Sequence, residues 1–208
     1  MSGCIVSAKL VQLLDISPNT LVDAMRRLGY PVYLGDYNLN LIGIRCQQDK
    51  NSNSFNDVLA VLYTLNGRQH LHCFRITTDP GDDYREHPIN SLGTAILKPG
   101  HYPGCWRIGS HRGKYQALVQ CAKMTVYRDN DMDDELDTDV STESGLFGIN
   151  LHRANANIPS NEVNRWSAGC QVVADPVDFD LLMALARKSV SDYGAYFSYS
   201  LLTEDELC

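Results

Sequence analysis

Positive charge is what this sequence lacks most: 18 Lys and Arg stand against 25 Asp and Glu in 208 residues, a formal net charge of −7. A general nucleic-acid binder needs surplus cation to displace counterions from phosphates, and a polybasic membrane anchor needs the same surplus, so neither partner is expected. The seven cysteines, at positions 4, 46, 73, 105, 121, 170 and 208, include no C-x-x-C pair. That leaves neither a disulfide framework nor a zinc ribbon indicated. No apolar run reaches the length of a bilayer span, and MSGCIVSAKLVQLLDI has no basic segment leading into a long apolar core. The sequence therefore predicts a chain made in the cytoplasm without a Sec-type leader. Internal repeats and low-complexity linkers are absent too.

What is present is an ordinary globular composition, 44% hydrophobic and 21% charged, with length enough for a substantial core. Ser17-Pro18 followed by NTLVDAMRRLG has the cap, the first-turn proline and the terminal glycine of a short helix. From Tyr30 onward, YPVYLGDYNLNLIGIRC, VLAVLYTL and LHCFRITT alternate with turn-rich pieces, a strand rhythm, with an exposed loop over Asp49 to Asn53. The stretch from Thr77 to Gly109 is rich in glycine and proline and reads as an ordered, loop-rich region that shapes a binding site. KYQALVQ, KMTVYRD and GLFGINLHR read as further strands. Asp175-Pro176 caps the clearest helix, with Phe179, Leu182, Met183, Ala186 and Val190 at helical spacing, and YFSYSLL forms a final strand. The expectation is a β-rich α+β protein, with residues 1–30 as a helical extension and 31–208 as one domain.

The stretch RWSAGCQVV poses the chemical question. A nucleophilic cysteine must become a thiolate, so it needs a base nearby and a partly open site. His152 lies 18 residues before Cys170, at the end of a predicted strand. Gly169, without a Cβ, permits a tight turn in which the backbone N–H of Gly169 or Cys170 can face a substrate oxyanion, and Ser167 can orient the loop. The competing reading is a turn into a buried strand with an inert thiol.

His152 followed at this spacing by Ser167-x-Gly169-Cys170 resembles the active-site signature of the L,D-transpeptidase (YkuD-like) family. RITTDPG and SLGTAILKPGHYPG echo that family's upstream region, so the resemblance spans roughly residues 70 to 175. It implies a β-sandwich with a short N-terminal helix and a helix after the cysteine, and Cys170 acylated by a peptidoglycan stem peptide. No cofactor is required for that chemistry. Ala168 stands where the family has a histidine, for which His101 or His111 could substitute. Val172 stands where an arginine is common, and Arg153, Arg165 and Trp166 are the candidate substrate-binding residues. The altered motif and the missing leader point to a lytic carboxypeptidase or endopeptidase, reaching the wall through phage lysis, a virion or a secretion system, more than to a cross-linking enzyme. The alternative is a calcium-stabilised structural or wall-binding protein without activity.

Calcium enters through YRDNDMDDELDTD. Asp129, Asp131, Asp133 and Asp137 occupy positions 1, 3, 5 and 9 of an EF-hand-like pattern, although Asp134 replaces the turn glycine and Val140 the last glutamate. The competing reading is a solvated acidic hairpin tip. His70, His72 and Cys73 in QHLHC lack a second ligand cluster and read as structural. Tyr102, Trp106, Tyr115 and Trp166 could line a groove or fill the core.

Overall fold

Ser17 caps the first helix as its position predicts: its Oγ accepts from the Thr20 amide at 3.1 Å, and α1 spans Pro18–Arg27. The computed structural model describes residues 15–46, 53–133 and 135–208. Residues 1–14 of the expected extension and 49–52 of the expected loop lie outside these. The remaining elements are β1 (Asn40–Arg45), β2 (Asp57–Leu65), β3 (Arg68–Thr77), α2 (Asp82–Glu86), β4 (Thr94–Leu97), β5 (Gly100–His111), β6 (Tyr115–Gln120), β7 (Met124–Asp129), β8 (Thr142–Gly145), β9 (Leu151–Arg153), β10 (Gln171–Val173), α3 (Pro176–Tyr193) and β11 (Tyr196–Thr203).

The fold is mainly β with short helical additions, but the layers differ from the expected sandwich. Eight strands close into a barrel in the order β1-β11-β5-β6-β9-β10-β3-β2, and β4-β7-β8 form a separate three-stranded sheet. Closure depends on a parallel pairing of β1 with β11, Leu41 opposite Tyr199 through Arg45 opposite Thr203. The first and last strands thereby cover each other's edges, which an open sheet would expose.

Strand alternation assigns the two faces. Leu41, Leu59, Val61, Phe74, Trp106, Tyr199 and Leu201 join a main core that also takes Phe179, Leu182, Met183 and Ala186 of α3. The intervening Ile42, Ile44, Val58 and Ala60 instead meet Leu21, Ala24 and Met25 of α1. Both faces of β1 are therefore dry, and each fully buried leucine or isoleucine contributes about 1.5–3 kcal/mol relative to exposure. Trp106 and Tyr102 are core residues rather than groove lining.

The region from Thr77 to Gly109 is less loop-like than expected, because it contains β4 and the long β5. The pairing of β5 with β11 shifts register between Phe197 and Tyr199. Opposite that irregularity, Gly104 takes φ +54° and its amide donates to Ser198 Oγ at 3.1 Å. A bulge accommodates Pro103, which a regular central strand would not. Tyr30 to Leu39 is not strand, and GLFGINLHR is strand only at its ends, Gly145 in β8 and Leu151–Arg153 in β9. Gly148, at φ +78°, interrupts it. Among the described residues no helix is long and apolar enough to cross a membrane.

Candidate active site

Two very short parallel strands set the site. Gln171 lies opposite Leu151 and Val172 opposite His152, and the Gln171 amide donates to the Asn150 carbonyl at 2.9 Å. Side chains alternate along a strand, so Cys170, Val172, Asn150 and His152 share one face, with Cys170 one step along from His152. Parallel strands need a long connection. Here residues 154–170 make it, fastened by Ser160 N to Ala174 O at 2.9 Å, Val163 N to Asn53 O at 2.8 Å and Gly81 N to Ser167 O at 2.9 Å.

The histidine is fixed in both position and tautomer. His152 Nδ1 lies 2.8 Å from the Arg153 carbonyl, and a carbonyl only accepts, so the ring proton sits on Nδ1. Nε2 is left as the acceptor, buried and without a hydrogen-bond partner. Tyr115 Oη donates to the same Arg153 carbonyl at 3.2 Å and lies 3.3 Å from His152 Nδ1. Burial pushes the His152 pKa down to about 3, with the charges of His111 and Arg112 adding to it and the Arg153 carbonyl opposing.

His111, at the end of β5, stacks on His152 with ring centroids 4.1 Å apart. Its tautomer is fixed as well. The Gln120 amide donates to Asn150 Oδ1 at 2.8 Å, which turns Asn150 Nδ2 toward His111 Nδ1 at 3.1 Å. His111 Nδ1 therefore accepts, and the proton is on Nε2. Burial and the Arg112 charge both lower the His111 pKa. His101, the other sequence candidate, is at the opposite end of β5, roughly 30 Å along the strand at about 3.3 Å per residue. It bonds Ser200 Oγ at 2.8 Å.

Cys170 is half-buried, and its thiol donates to the Gly148 carbonyl at 3.4 Å. Burial pushes the thiol pKa up, opposed by the Asn150 backbone amide and the Arg112 guanidinium. The ground state is thus a neutral thiol beside a neutral imidazole. Ser167 is fully buried. Its Oγ accepts from the Gly169 amide at 3.1 Å and donates to the Cys170 carbonyl at 2.8 Å, so it clamps the turn from within. Gly169 has φ +113°, and a Cβ there would lie 2.3 Å from the Ala95 carbonyl oxygen. Only glycine fits.

Ala168 faces a cleft lined by Asn90, Thr94, Arg128, Leu146 and Phe147. The Arg153 guanidinium lies 4.2 Å above the Tyr115 ring. Arg165 points away from this cluster, its side chain 81% exposed and paired with Asp83 at 2.9 Å, and Trp166 is partly exposed beside it. The sequence offered His111 only as one of two stand-ins for the missing motif histidine, and did not place Arg112, Tyr115 or Asn150 at the site. Closure of β5, β6 and β9 brings them to one point.

Away from this site, Asp129, Asp131 and Asp137 bring carboxylate oxygens within 4.8 Å of one another. Asp133 is not in that group: its Oδ1 accepts from the Glu135 amide at 2.7 Å, which uses it to shape the turn. Asp134 lies outside the described residues. His70 and His72 stack on Tyr63, an aromatic ladder along β3. No protein-family model, no curated protein and no solved structure matches the chain.

Proposed function

We propose that the protein is a cysteine acyl-transfer enzyme acting on peptidoglycan stem peptides, with Cys170 as nucleophile and His152 as general base. The observation that carries this reading is the tautomer-fixed Nε2 of His152, without a partner among the described residues, on a strand whose parallel neighbour begins one residue after Cys170. A buried acceptor without a donor is disfavoured in a purely structural role, because it loses water and gains nothing. As a base it needs that lone pair. The substrate class, and the assignment of this barrel as an L,D-transpeptidase-like domain, rest on the likeness of His152 and Ser167-Ala168-Gly169-Cys170 to the L,D-transpeptidase signature and not on the strand order.

In this mechanism the thiol rotates from the Gly148 carbonyl toward His152, Nε2 takes its proton, and the sulfur attacks the carbonyl carbon of the stem-peptide bond. Arg112 and the Asn150 amide favour the thiolate as it forms. The Gly169 amide is engaged by Ser167, so the Cys170 amide is assigned to the tetrahedral oxyanion. Imidazolium returns the proton to the leaving amine, and the C–N bond breaks to leave a thioester. Water, deprotonated by His152, then releases the acid. Hydrolysis is preferred to cross-linking on the altered Ser167-Ala168-Gly169-Cys170 motif, in which Ala168 stands in place of a histidine.

The second reading, a non-catalytic wall-binding protein, draws on the thiol's hydrogen bond to Gly148 rather than to His152. Incubation of wild type and Cys170→Ala with tetrapeptide and cross-linked muropeptides, followed by mass spectrometry, separates the two. Loss of a terminal residue or of a cross-link by wild type alone is expected. Identical products from both proteins would overturn the enzyme.

A further inference from the structure

At the loop between β7 and β8 lies a buried charge that nothing among the described residues neutralises. Asp129, the last residue of β7, is 1% exposed, and neither carboxylate oxygen has a hydrogen-bond partner among the described residues. The Asp137 backbone amide favours its ionised form without closing a bond of normal geometry. The charges that surround it are of its own sign, Asp131 and Asp137 foremost. An isolated buried carboxylate is costly, and proteins resolve that cost by pairing it or by giving it a metal.

We propose that Asp129, Asp131 and Asp137 bind a calcium ion, with Asp129 as the buried ligand. The three oxygens lie within 4.8 Å of one another, and two ligands on a calcium ion at 2.3–2.6 Å can be at most about 5 Å apart. The donors are all hard carboxylate oxygens, and the loop can complete a coordination shell of six to eight with backbone carbonyls and water. Magnesium fits less well, since it demands near-ideal octahedral geometry and gives up water reluctantly. The ligand set departs from the EF-hand pattern in the sequence, because the Asp133 carboxylate is not among those that converge. With only three carboxylates, two of them reachable from solvent, the affinity belongs to the weak class, a dissociation constant of about 0.1–1 mM.

This inference is independent of the Cys170 chemistry. Its consequence is structural: the ion would fix the loop entering β8, the strand that leads through Phe147 to Gly148 and the thiol.

The test is thermal denaturation of the full chain after chelation, then with 5 mM calcium chloride, 5 mM magnesium chloride, or sodium chloride at matched ionic strength, with calorimetric titration alongside. Calcium is expected to raise Tm by several degrees, magnesium by much less and sodium chloride not at all. Asp129→Asn is expected to keep or raise the Tm of the metal-free protein, because it removes a buried charge, and to abolish the calcium shift. Asp131→Asn, at an exposed position, is expected to weaken calcium binding at least tenfold without affecting folding. The proposal is overturned if calcium gives no more shift than matched sodium chloride, or if Asp129→Asn keeps the wild-type response.

Discussion

His152 and Asp129 are both almost wholly buried, and each holds side-chain atoms without a hydrogen-bond partner, yet burial leaves them in different states. Desolvation penalises whichever form is charged. For the imidazole it moves the pKa down to about 3, so at neutral pH the side chain is an uncharged base with an open lone pair. For the carboxylate it moves the pKa up to about 6, helped by Asp131 and Asp137, which still leaves an anion at neutral pH. One site lacks a proton donor and the other lacks a cation. The proposed general base at His152 and the proposed ion site at Asp129 both rest on that difference.

The largest expected effect breaks the first half of that comparison. His152→Ala removes the lone pair, and turnover of muropeptides is expected to fall about 100- to 10,000-fold, the usual worth of a general base. A loss below tenfold in kcat would show that the orphan nitrogen is not the base.

The same pair can be separated by pH. His152 has a folded pKa below its unfolded value, so between pH 6.5 and about 3 the unfolded state binds the extra proton. Its contribution to stability is present above the unfolded pKa and is lost as pH falls. His152→Phe should therefore flatten the acid limb relative to wild type by up to about 1.4 kcal/mol per pH unit. Asp129 has a folded pKa raised from 3.8 to about 6, so its contribution is present at low pH and is lost as pH rises through that window. In chelator, Asp129→Asn should remove a slope of the opposite sign. Denaturant titrations across pH 4 to 7 measure both, and slopes of the same sign would sink the comparison.

The two regions also differ in how they are held. In the acidic loop Asp131 and Asp133 shape turns by accepting from the Asp133 and Glu135 amides, whereas the Cys170 turn is locked against another sheet by the approach of Gly169 to Ala95. Gly169→Ala adds a positive-φ penalty of about 1–2 kcal/mol to a backbone clash, so a loss of roughly 2–4 kcal/mol is expected in denaturation. Stability within 0.5 kcal/mol of wild type, a margin typical of surface changes at about that size, would mean the turn is not locked.

Local signals carried the parts of this molecule that local physics decides. Ser17-Pro18 and Asp175-Pro176 announce both long helices because caps and first-turn prolines act within one turn. The adjacency of β9 and β10 was legible because one loop joins them. Barrel closure was not, since it rests on β1 meeting β11 across most of the chain. Nor was β5, whose Pro103 and Gly104 look like loop residues until the register shift with β11 accommodates them. His111 had only its residue type to offer as a signal. The strand that carries it reaches the site through β6 and β9.

The smallest effect tests how the base is held. Tyr115 Oη and His152 Nδ1 meet the same Arg153 carbonyl, so the phenol competes for that acceptor while fixing the carbonyl in place. Tyr115→Phe keeps the ring beneath the Arg153 guanidinium and deletes only the hydroxyl, whose hydrogen bond is worth about 0.5–1.5 kcal/mol. A fall in kcat of roughly two- to tenfold, with little change in KM, is the result expected if the hydroxyl only positions the imidazole. A loss near that of His152→Ala would instead place Tyr115 among the groups that move protons. An unchanged kcat would assign the orientation of His152 to the Arg153 carbonyl and the stacked His111 ring alone.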